Sequence, residues 1–158
     1  MGEAPLEADE VERWRKAADK GDVDAMTNLG LLAVGAGRVE GDDSAESWWT
    51  QAADLGATDA MLNLGLLRYE ADRVVGHDSA AYWWDRAARH GNADAMVNLG
   101  FVRRGQGRLT GADSAEYWWK RATEAGSIDA RHNLDELRAD IASAEAGEVG
   151  VELGGSDT

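Results

Sequence analysis

The stretch Asp59–Gly91, DAMLNLGLLRYEADRVVGHDSAAYWWDRAARHG, decides how the whole chain is read. Its parts recur on either side at a constant offset of 35 residues. Asp59-Ala60-Met61 and Asn63-Leu64-Gly65 have counterparts in Asp24-Ala25-Met26 and Asn28-Leu29-Gly30, and again in Asp94-Ala95-Met96 and Asn98-Leu99-Gly100. Trp48-Trp49, Trp83-Trp84 and Trp118-Trp119 keep the same offset. A fixed period of this length marks a repeat array, in which each unit buries its apolar face only against its neighbours.

Within each period the apolar residues fall at helical spacing. Ala25, Met26, Leu29 and Leu32 recur at steps of three, four and seven on one helix face, and Ala45, Trp48, Trp49 and Ala52 follow the i, i+3, i+4, i+7 pattern in a second segment. A strand would send adjacent tryptophans to opposite faces. Each repeat is therefore expected to be two helices, at about 23–35, 58–71 and 93–105, then about 43–55, 78–90 and 113–125. Gly21, Gly56, Gly91 and Gly126 are expected as left-handed stops after the second helices. Asp43, Asp78 and Asp113 are expected as N-caps, with Glu46 and Glu116 completing capping boxes.

The remaining sequence fits around this frame. Trp14 stands 35 residues before Trp49, so a helix over 7–20 reads as the second half of a truncated first repeat. Residues 1–6 are expected as a flexible leader. The repeat solenoid covers 7–143: a partial repeat at 7–22, full repeats at about 23–57, 58–92 and 93–127, and a capping helix at 128–143 with a more polar outer face. The acidic, Gly-containing stretch 144–158 is expected to be disordered. The fold class is all-α.

Composition narrows the function. The chain of 158 residues has no cysteine, which excludes disulfides, thiolate catalysis and Cys-based zinc sites. Its single proline, Pro5, lies outside the repeats, as helices require. A formal charge of −14 repels phosphates, so neither nucleic acid nor an anionic membrane surface is an expected partner. The opening MGEAPLEADEVE lacks the apolar run of a signal peptide, and no stretch approaches the roughly 18 apolar residues of a membrane span. The expected setting is the cytoplasm, and the Arg-, Ala- and Gly-rich composition suits a bacterial, GC-rich genome.

The motif order Leu29-Gly30, Gly35-x-Gly37, Asp43-x-Ala45-x-x-Trp48 and Ala52-Ala53-x-x-Gly56 resembles that of Sel1-like repeats, relatives of tetratricopeptide repeats. The resemblance covers about residues 9–135. It implies a right-handed α/α superhelical solenoid whose first helices line a concave side, and a role in protein–protein scaffolding. There are departures. Ala33, Arg68 and Arg103 stand where the family usually has an aromatic, Trp-Trp replaces Trp-Tyr, and Glu70-Ala71-Asp72 replaces the loop glycines of the second repeat.

Several recurring residues have both a structural and a functional reading. The Trp pairs are expected to wedge between neighbouring repeats, or to form an aromatic platform where one ring is exposed. Gly30, Gly65 and Gly100 cost a helix about 1 kcal/mol each, and close approach of the paired helix would explain them. Asn28, Asn63, Asn98 and Asn133 gain nothing from a helix interior. Either they bond a neighbouring loop or helix, or their amides form a rail for a polypeptide backbone. The resemblance to tetratricopeptide repeats favours the rail, since that position faces the groove in peptide-binding members. Asp24, Asp59, Asp94 and Asp129 sit in first turns, where carboxylates suit the helix dipole; as groove residues they would favour a basic peptide.

The predicted protein- or peptide-binding residues are Asn28, Leu31, Asn63, Leu66, Tyr69, Asn98, Phe101, Arg104 and Asn133. No catalytic, cofactor-binding or metal-binding residue is predicted. His77, His90 and His132 occupy unrelated repeat positions, and Ser44, Ser79 and Ser114 recur without a recurring histidine. The expected function is a non-catalytic adaptor binding a polypeptide segment in the concave groove. The alternative is a self-associating structural repeat protein, a homo-oligomer. A hydrolase using Glu70 and Asp72 is the third and weakest reading.

Overall fold

The computed structural model describes residues 8–153, with side chains through Ala146. The expected leader 1–6 and the residues beyond 153 lie outside the described residues. The described residues form eight helices in order: α1 (Ala8–Ala18), α2 (Val23–Gly35), α3 (Ala45–Asp54), α4 (Thr58–Glu70), α5 (Ala80–Arg89), α6 (Ala93–Gly105), α7 (Ala115–Glu124) and α8 (Ile128–Leu153). No strand occurs among the described residues. The fold is an all-α repeat solenoid of helical hairpins.

The chain divides into two compact units, Met1–His90 and Gly91–Thr158. In the first, α1 packs on α2, the hairpins α2/α3 and α4/α5 each close on themselves, and α3 packs on α4. In the second, α6 and α7 form a hairpin and α7 packs on α8.

Each hairpin closes around one indole. The second tryptophan of each pair, Trp49, Trp84 or Trp119, is buried against the first helix of its own hairpin. A Cβ built on Gly30, Gly65 or Gly100 would stand 2.7, 2.8 or 2.6 Å from Cε2 of that indole, and nearer still to Nε1 and Cδ1. Only glycine leaves room for the ring. The close approach expected from the sequence is therefore real, with a side chain rather than a helix backbone filling the space. The indole nitrogens donate to the carbonyls of Thr27 (3.1 Å), Leu62 (3.3 Å) and Val97 (3.1 Å), so each buried N–H is paired. The sequence reading placed these tryptophans as wedges between repeats; their observed anchor lies within the hairpin.

The first tryptophan of each pair has a different partner. Trp48, Trp83 and Trp118 donate Nε1–H to the carboxylates of Asp43 (2.9 Å), Asp78 (2.7 Å) and Asp113 (2.7 Å), five residues earlier. This corrects the expected caps. The N-caps of α3, α5 and α7 are Ser44, Ser79 and Ser114, whose hydroxyls accept from the N–H groups of Ser47, Tyr82 and Tyr117. The preceding aspartates stand outside the helices in the left-handed region, at φ 55°, 50° and 50°. Short polar side chains tolerate that conformation best. The loop supplies the next two acceptors: the N–H groups of Ala80 and Ala81 donate to the carbonyls of Arg73 (2.7 Å) and Val74 (3.0 Å), and the other two hairpins repeat the arrangement. With those orphan donors satisfied by loop and serine, Glu46 and Glu116 are released from capping.

Helix α8 runs ten residues past the boundary at 143 expected from the sequence. The segment Ala142-Ser143-Ala144-Glu145-Ala146 is rich in strong helix formers, which explains the continuation. Ala130, Leu134 and Leu137 of α8 are buried, while Asp135 and Glu136 are exposed.

Candidate functional site

The first helices of the hairpins carry one recurring face. On α2 it runs Asp24, Asn28, Leu31; on α4 it runs Asp59, Asn63, Leu66, Glu70; both follow i, i+4, i+7 spacing. In the first unit Leu31 is 53% exposed, Leu66 42% and Tyr69 55%, which is unusual for a row of large apolar side chains. Val34, equivalent to Tyr69 one repeat earlier, is exposed beside them. An open cleft of about 440 Å³ lies between the starts of α2 and α4, lined by Asp24, Thr27, Asn28, Ala57, Thr58 and Asp59 among others.

Asn28 and Asn63 are half-buried, and their amides bond no other described residue. In the second unit Asn98 and Asn133 have the same properties. The loop or neighbouring-helix bond considered for this ladder is not formed, which leaves the donors and acceptors directed to solvent. Phe101 is half exposed and rests edge-on against Trp119, with ring centroids 5.2 Å apart. Tyr69 rests in a tilted contact on Trp84 at 5.8 Å. Arg104 differs from the equivalent Val34 and Tyr69: its guanidinium donates to Asp140 of α8 at 2.9 Å. The structure brings Asn28, Leu31, Asn63, Leu66 and Tyr69 onto the first helices of one unit, and Asn98, Phe101, Arg104 and Asn133 onto α6 and α8 of the other.

Behind this face lies an ionic network that the sequence reading missed. Arg68 is almost wholly buried and binds Glu46 of the preceding hairpin and Asp78 of its own loop, the latter with Nε at 3.2 Å. Asp78 also receives Arg73 at 2.9 Å. Burial pushes the Asp78 carboxyl up, but bonds from Trp83 and Arg68, with the charge of Arg68 and a bond from Arg73, outweigh it and hold the group below its ordinary value. Asp43 and Asp113 are depressed likewise. Burial opposes the shift, and bonds from Arg15, Trp48 and Arg38 in one case and from Arg103 and Trp118 in the other overcome it. Burial of Arg68 works against its charge, but Glu46 and Asp78 more than compensate, so its pKa is raised. The constant five-residue step from Asp to Trp was the available signal, and so was Arg at the position of a family aromatic. These groups hold the hairpins together rather than facing a ligand.

Among the described residues no three His, Cys, Asp or Glu side chains converge to hold a metal ion, and no helix is long and apolar enough to cross a membrane. What the geometry of the described residues defines is a repeat scaffold with an open, partly apolar face. The chain belongs to the Sel1 repeat family, whose pattern matches residues 23–56, 58–92 and 93–127. It is similar to a Sel1 repeat protein from Oxalobacter formigenes, at 28% identity and a TM-score of 0.62, over 80% of this chain and 98% of that one. It is also similar to c5321, a protective antigen of uropathogenic Escherichia coli strains displaying an SLR fold, at 28% identity and a TM-score of 0.63. That match covers 80% of this chain and 28% of the longer antigen. No curated protein matched. Folds of this kind generally mediate protein–protein interactions through a repeat groove.

Proposed function

We propose that the chain is a non-catalytic adaptor that binds a segment of another polypeptide along the face of its first helices. The observation that carries this reading is the pairing of unbonded amides with exposed apolar side chains. Asn28 and Asn63 offer donors and acceptors suited to a peptide backbone, beside Leu31, Leu66 and Tyr69. Amide rails recognise backbone independently of sequence, and apolar neighbours add affinity by burial.

The terminal helices favour this reading over self-association. Helix α1 exposes Arg13 and Lys16, and α8 exposes Arg131, Asp135 and Glu136. Polar outer faces of this kind keep an array from adding copies at its ends.

The test is affinity capture of partners from the native cell with the full chain, followed by binding measurements with Asn28→Ala/Asn63→Ala. Net contributions of about 0.5–1.5 kcal/mol per hydrogen bond predict a loss of roughly tenfold or more for the pair. Unchanged affinity in a folded double variant refutes recognition through this face.

A further inference from the structure

The chemistry of the partner is written in the charges around the apolar strip of the first unit. Helix α2 carries Asp24 and no cation, and α4 carries Asp59, Glu70 and the single cation Arg68, which is buried and committed to Glu46 and Asp78. The other arginines of the neighbouring loops are held as well: Arg38 by Asp43 and Arg73 by Asp78. Arg86 and Arg89 of α5 face Asp54 and Asp85. Asp24 and Glu70, at opposite ends of the Asn-Leu stripes, have no bonded partner. The uncompensated charge that α2 and α4 themselves carry beside Leu31, Val34, Leu66 and Tyr69 is therefore negative.

We infer that this face takes a basic segment of a partner polypeptide. Its aliphatic or aromatic side chains lie on Leu31, Leu66 and Tyr69, its backbone meets the amides of Asn28 and Asn63, and its Lys or Arg residues stand beside Asp24 and Glu70. The inference rests on the groove reading above and adds the sign of the partner to it. Complementary rim charge steers such a segment in and rejects acidic competitors. A second copy of this chain, itself at −14, meets like charge on the same face.

Selection of short random peptides on the full-length chain tests it. Recovered peptides are expected to combine Lys or Arg with aliphatic or aromatic residues, and to bind less tightly as salt rises. Their dissociation constants should rise about tenfold in Leu31→Ser/Leu66→Ser, and about tenfold again in Asp24→Lys/Glu70→Lys, a change of about 1.4 kcal/mol each. All four positions are exposed, and circular dichroism checks that each variant is folded. Acidic or neutral peptides that still depend on Leu31 and Leu66 overturn the charge assignment and leave the groove standing. Recovery of no peptide, or only of peptides indifferent to Leu31, Leu66, Asn28 and Asn63, overturns both.

Discussion

Replacing Gly65 by alanine should destabilise the chain, against the direction that helix propensity gives. In an exposed helix the change stabilises by about 1 kcal/mol. At position 65 the new methyl carbon would lie 2.8 Å from Cε2 of Trp84 and closer to two other ring atoms. Carbon atoms at optimal separation stand about 3.5–4.0 Å apart, so the indole has to withdraw by about 1 Å. The ring is 3% exposed and has little space to withdraw into. Overpacking of this kind costs about 1–3 kcal/mol, and a shifted ring weakens its bond to the Leu62 carbonyl, another ~1 kcal/mol. Set against the propensity gain, the net expected loss is about 1–3 kcal/mol. Gly35 supplies the control, since it ends α2 with no atom near the site of a Cβ and has an ordinary φ. Gly35→Ala should be neutral or mildly stabilising. Urea unfolding followed at 222 nm compares the two, and Gly65→Ala/Trp84→Phe should recover part of the loss, because a smaller ring relieves the overlap. Equal stability of Gly65→Ala and Gly35→Ala would refute the argument that the indole dictates the glycine.

Two further expectations concern the loops. Asp72 sits at φ 57° where the equivalent positions of the other hairpins are Gly37 and Gly107, both at φ 71°. Asp72→Gly should raise stability by about 0.5–1 kcal/mol by relieving left-handed backbone, measured as a higher urea midpoint; a lower midpoint counts against strain at this residue. Asp43, Asp78 and Asp113 have folded pKa values depressed below the ordinary 3.8. The folded state thus binds fewer protons than the unfolded one, and their contribution is intact above that value and lost as pH falls through the depressed range. The urea midpoint should drop as pH is taken below about 4, and less steeply in Asp78→Asn; identical pH profiles for the two proteins would disprove a role for this carboxylate.

The sequence alone determined the repeat length, the two-helix unit and the helix faces, because a 3.6-residue period in the apolar pattern is a local property that the backbone obeys wherever packing allows. It also indicated that the paired helix comes close at Gly30, Gly65 and Gly100, since an unfavourable residue kept at each period has to be explained by space. The candidate binding residues were legible by the same periodicity, which ties Asn28, Leu31, Asn63 and Leu66 to one face. Tertiary structure decided the pairings. Asp78 and Ser79 are both good caps by composition, and the choice of Ser79 followed from the left-handed turn that sends Asp78 to Trp83 and Arg68. Arg68 reads in sequence only as a departure from the family's aromatic, and it is the meeting of α4 with α3 that places Glu46 against it. Periodicity fixes which way a side chain faces. What it meets depends on residues tens of positions away, and that is settled by the packing of one helix on the next.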